Sequence, residues 1–115
     1  MTRDVPIEIR RGNDDPAVIW EFDNADETPA DLTGSVFSLV VAWSTGQITH
    51  SSDAVGGDGV LTINAAAGRV TWPYTIAESD RIPRPRGARY VLRRTIGGKT
   101  RDWSGGEVVV RSYLL

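Results

Sequence analysis

Apolar residues recur at every second position through most of this chain, and no segment sustains the 3.6-residue period of a helix. The longest alternating stretch runs from Ser35 to Trp43, behind the turn Asp31-Leu32-Thr33-Gly34. Phe37, Leu39, Val41 and Trp43 share one face, and Val36, Ser38, Val40 and Ala42 the other. Apolar residues on both faces predict a central strand covered on both sides. The remaining strands lie around it. Val5, Ile7 and Ile9 predict a half-buried first strand, with Pro6 suited to an edge. After a turn over Gly12 to Pro16, Val18, Trp20 and Phe22 mark a second strand, and a polar loop follows from Asp23 to Pro29.

Beyond the central strand, the pattern predicts a brief strand over 47–51, a Gly- and Asp-rich loop over 52–59 and a short strand at Val60 to Ile63. Val70, Trp72 and Tyr74 mark a further strand with an aromatic face. Residues 77–82 are the one plausible helical turn, too short to be stable alone. A strand over 89–96 meets the hairpin signal Gly97-Gly98 and returns over 99–103. Gly105-Gly106 predicts a bulge or kink before a last strand over 107–113, with Val108 and Val110 inward. The sum is one all-β domain over residues 1–115. It reads as an immunoglobulin-like antiparallel β-sandwich of seven to nine short strands with one short helical turn near 77–82. A small barrel would leave a similar pattern. Tyr90 stands early in a late strand, just after a corner. Immunoglobulin-like sandwiches place a tyrosine there whose hydroxyl bonds back to upstream backbone.

Composition is that of an ordinary globular domain: 115 residues, 40% hydrophobic and 24% charged, with four Trp. The absence of cysteine excludes disulfides and thiolate metal sites. The first fifteen residues lack the apolar run of a signal peptide, and no run approaches a membrane span, so a soluble cytoplasmic protein with no membrane partner is expected. A net charge of −2 argues against nucleic-acid binding. That charge is uneven. Residues 1–34 hold nine carboxylates and three arginines, a local −6, and residues 77–101 hold eight cations and two carboxylates, a local +6. The two ends either neutralise each other within the fold or meet between copies.

No catalytic constellation stands out. His50 is the sole histidine and reads as a solvated polar residue. Ser51, His50 and Asp53 supply triad residue types, but adjacency in sequence is not triad geometry. Asp14-Asp15 and the Asp23–Glu27 run carry calcium-type oxygen donors without EF-hand spacing. Gly56-Gly57-Asp58-Gly59 lacks the ending and helix of a phosphate loop. Trp43 and Trp72 read as core residues, and Trp103 as the most exposed tryptophan. The six arginines between Arg81 and Arg94 suit salt bridges to acidic loops. Arg81, Arg84, Arg86 and Trp103 are therefore the candidate interface, and no cofactor or metal is expected.

Four signposts, in order, carry a resemblance. They are Pro29-Ala30-Asp31-Leu32-Thr33-Gly34 before the long strand; Asp58-Gly59-Val60-Leu61-Thr62-Ile63 with Gly68-Arg69-Val70-Thr71-Trp72; the helical turn leading to Gly87-Ala88-Arg89-Tyr90-Val91-Leu92; and Gly106-Glu107-Val108-Val109-Val110. From about Val5 to Arg111 the chain resembles the N-terminal immunoglobulin-like domain of phage baseplate upper proteins and related small phage tail proteins. The resemblance implies a phage or prophage virion structural module. Such a module works by assembly with itself, as a homo-oligomer, or with neighbouring phage structural proteins, in the host cytoplasm and then in the virion. The alternative is a ligand-binding sandwich such as a carbohydrate-binding module, using Trp103 and loop aromatics.

Overall fold

Two sheets of unequal size form the molecule. The computed structural model describes residues 3–10, 12, 17–55, 57–83 and 86–111. Among these the strands are β1 (Arg3–Asp4), β2 (Ile7–Arg10), β3 (Val18–Glu21), β4 (Val36–Trp43), β5 (Gly46–Ser51), β6 (Thr62–Asn64), β7 (Arg69–Trp72), β8 (Ala88–Ile96) and β9 (Lys99–Arg111). One helix, α1 (Ile76–Arg81), stands between β7 and β8. The larger sheet has the order β1-β9-β8-β4-β5, with β2 also on β9, and the smaller the order β3-β7-β6. The protein is an all-β two-sheet sandwich. Arg84, the turn at 13–16 and the end of the expected last strand lie outside the described residues.

One edge departs from a wholly antiparallel sandwich. β1 and β2 run parallel to β9 in a single register, Asp4 facing Gly105 and Ile7 facing Val108. Pro6 falls in the gap between them, where a missing N–H costs no ladder bond. Alternation in sequence reveals which face a strand buries, not which neighbour it pairs with. The partner of the first strand had to come from the structure.

The core lies between the sheets. Phe37, Leu39 and Val41 of β4, Tyr90 and Leu92 of β8, and Val108 and Val110 of β9 form one buried cluster with Trp20 of β3 and Val70 and Trp72 of β7. Val36, Ser38 and Val40 on the opposite face of β4 are only half-buried. The strand is interior to its sheet, between β8 and β5, but it is covered on one face and not on both. A two-layer fold has nothing to lay over the second face.

A close backbone approach extends the β3–β7 pairing at one end of the small sheet and ties the 23–30 loop to it. Phe22 donates its N–H to Gly68 O at 2.8 Å, and Ala30 donates to Phe22 O at 2.9 Å. Gly68 has φ +65°, and a Cβ there would meet Phe22 O at 2.4 Å. Only glycine satisfies both the turn and the approach.

β9 is a single strand of 13 residues. At about 3.3 Å per residue it spans about 43 Å, close to the 44 Å long dimension of the molecule. No kink divides it at Gly105-Gly106. The irregularity lies further toward the hairpin, where Leu92 faces Ser104 but Arg93 faces Asp102, leaving Trp103 as an extra residue.

Candidate functional site

The bulge at Trp103 decides what the β8–β9 hairpin presents. Side chains alternate between faces, so a one-residue insertion moves every later side chain to the other face. Ser104 is buried opposite Leu92. Without the bulge, Trp103 and Arg101 would stand on the outer face. With it, Arg101 faces Arg94 and Lys99 faces Ile96, all on the inner face.

That inner face outruns its cover. Along β8 the inward residues Ala88, Tyr90 and Leu92 are buried, then Arg94 is half-buried and Ile96 exposed. The strands of the small sheet have 4, 4 and 3 residues, against 9 and 13 in the hairpin. The result is an open depression of about 230 Å³ lined by Arg94, Ile96, Lys99, Arg101 and Trp103.

Trp103 forms the floor. Its ring stands edge-on to Phe22 (centroids 4.9 Å apart) and to Phe37 (6.0 Å). The Arg94 guanidinium lies 4.4 Å from the Trp103 ring centroid, a cation–π contact. Arg94 also donates through Nε to Ser35 Oγ at 2.7 Å and through Nη2 to Asp31 O at 3.4 Å. Arg94 is therefore fixed, whereas Lys99 and Arg101 make no ion pair among the described residues.

The expected interface residues divide between two ends. Arg86 pairs with Glu107 near the start of β8. Arg81 lies 5.8 Å from the Trp43 ring centroid and donates to Gln47 O at 3.3 Å. Trp103 is four positions from Glu107 along β9, about 13 Å at strand spacing, and keeps company with Arg94 instead. Trp43 is half-buried at the margin of the core, and Trp72 is fully buried. The Tyr90 hydroxyl donates to Val5 O, lies 2.9 Å from Ser104 Oγ and accepts from Trp20 Nε1 at 3.2 Å. Its backbone partner is on the N-terminal segment, 85 residues away, rather than a few residues upstream. Tyr90 thus pins three regions of chain at one buried oxygen.

His50 is not a solvated residue. Its side chain is 12% exposed, with Nδ1 2.6 Å from Asp58 Oδ2 and Nε2 2.5 Å from Glu78 Oε2. Asp53 instead accepts from Val55 N, so no Ser51-His50-Asp53 triad forms. Asp58 also accepts from Ser51 N and Val60 N through Oδ1. Glu78 is anchored by a capping box: its Oε1 accepts from Thr75 N, and Thr75 Oγ1 accepts from Glu78 N. Burial pulls the His50 pKa down, but the hydrogen bonds and charges of Asp58 and Glu78 outweigh it and hold the value above 6.5. Burial pushes Asp58 up, and His50 with the two backbone N–H donors outweighs that, lowering it to about 2. With a carboxylate on each ring nitrogen, the imidazolium clamps three segments together and leaves no nitrogen free for proton transfer.

The Asp23–Glu27 run forms a tight turn. Asn24 donates its N–H to Thr28 O at 2.8 Å, and Asp26 Oδ1 accepts from Thr28 N and Oγ1 at 3.1 and 2.6 Å. Among the described residues no group of three His, Cys, Asp or Glu side chains is arranged to hold a metal ion. Among the described residues no helix is long and apolar enough to cross a membrane. Neither a scan against protein-family models nor a search of curated proteins finds a match to the chain.

Proposed function

We propose that this chain is a phage or prophage virion structural module that acts by protein–protein assembly, without turnover. The observation that carries the reading is the overhang of the large sheet at the β8–β9 hairpin. There an ordered tryptophan and a fixed arginine sit beside two cations that make no ion pair among the described residues. Arginine and tryptophan anchors in an open, shaped surface suit a macromolecular contact. The resemblance to phage baseplate and tail proteins supports the same reading, and the two-sheet sandwich is compatible with the immunoglobulin-like domain that it implies. Trp103 gives less support to the carbohydrate-binding alternative, because Phe22 and Phe37 meet its edge and Arg94 lies over it. Arg94 already occupies ring surface on which a sugar would stack.

The test is to purify particles of the phage or prophage that encodes the chain and quantify it by mass spectrometry. The expected result is incorporation at a fixed ratio to the tail or head proteins. Intact particles that lack the chain would overturn the reading.

A further inference from the structure

The hairpin overhang does not stand alone at its end of the molecule. Phe22 packs on Trp103, and the polar turn begins at the next residue. Asp23, Asp26 and Glu27 are exposed on that turn. Hydrogen bonds of Asn24, Asp26 and Thr28 set the backbone of the turn, so the positions from which Asp23 and Glu27 project are fixed. Asp23 and Glu27 make no ion pair among the described residues, and neither do Lys99 and Arg101. The acidic turn and the basic hairpin tip flank the Phe22–Trp103 contact, yet among the described residues these charges form no ion pair with each other.

A surface that carries adjacent acidic and basic patches is complementary to itself under a two-fold rotation. We propose that the overhang is the contact surface of a two-fold dimer. Lys99 and Arg101 of each copy face Asp23 and Glu27 of the other, and Ile96 and Trp103 lie between them. This rests on the assembly reading and names its first partner, a second copy of this chain. Both patches sit on elements held by local hydrogen bonds, so pairing orders side chains and little backbone.

Light scattering on the full chain tests the proposal. Wild type is expected to dimerise at about 0.1 M salt, where charges act over about 10 Å, and to weaken roughly tenfold or more at about 1 M, where they act over about 3 Å. K99E/R101E makes both patches acidic, and D23K/E27K makes both basic. Each variant alone is expected to stay monomeric with unchanged circular dichroism. Mixed in equal amounts they are expected to form a heterodimer, since both contacts are then attractive again. No effect on folding alone would produce that rescue. A wild type that remains monomeric, folded variants that dimerise like wild type, or a mixture that fails to associate would each overturn the self-pairing. Wild type that binds a poly-glutamate peptide but not itself would overturn it too. A chain found in particles yet monomeric in solution overturns the dimer and leaves the assembly reading standing, so the two failures are distinguishable.

Discussion

Gly68 combines a positive φ with a close backbone approach, and so places a tight constraint on this fold. A methyl group there would lie 2.4 Å from Phe22 O, at a φ of +65° that disfavours every L side chain. Gly68→Ala is expected to destabilise the protein by about 2–3 kcal/mol, combining left-handed strain with backbone displacement. The shift of the urea midpoint measures it. Glu27 is the converse case, a non-glycine residue at φ 69° closing the 24–28 turn. Glu27→Gly relieves that strain against a greater loss of chain entropy, and a gain of about 0.5 kcal/mol is expected in the same assay. His50 shows where reading residues one at a time runs out. Its partners Asp58 and Glu78 are 8 and 28 positions away, one in a loop and one on a helix. Nothing in the residues flanking His50 points to either. The one available signal was Thr75-Ile76-Ala77-Glu78, a capping box that fixes where the Glu78 carboxylate stands.

At the scale of elements, the capping box makes α1 the support of the His50 clamp as well as a short connection. The helix has six residues and would not persist alone. Thr75→Ala is expected to cost about 1 kcal/mol through the lost cap. His50→Ala is expected to cost about 2–3 kcal/mol, since hydrogen bonds to charged groups are worth about 1.5–3 each and Glu78 is left half-enclosed without its partner. A double-mutant cycle between the two, read by chemical denaturation, should show coupling, because Thr75 acts on His50 only through Glu78. Strands were the legible part of the sequence. Val18, Trp20 and Phe22, or Val70, Trp72 and Tyr74, alternate, and all six are buried. Gly97-Gly98 marked the hairpin for the same local reason, both residues having positive φ. The overhang was not legible. It depends on a bulge opposite Leu92 and on the shortness of a sheet that the hairpin does not belong to. No local pattern encodes a difference in length between two layers.

On the scale of the whole molecule, the His50 clamp joins β5, the loop before β6 and α1, so its protonation state reaches stability as a global property. The His50 pKa is raised above the 6.5 of the unfolded chain. Its contribution is complete below pH 6.5 and is lost as pH rises through the native value. Asp58 is lowered from 3.8 to about 2, so its contribution is present above 3.8 and is lost as pH falls toward about 2. Stability from the clamp is therefore greatest between those limits, on the acid side of neutrality. Urea midpoints of wild type are expected to decline as pH climbs past 6.5, and those of His50→Gln to stay flat over the same range. Parallel declines would mean that another group titrates. His50 is the chain's single histidine, so its ring resonances can be followed without assignment by NMR. They should titrate above 6.5 in wild type and move back toward it in Glu78→Gln, which keeps an amide oxygen for the helix cap but removes a charge from the imidazolium.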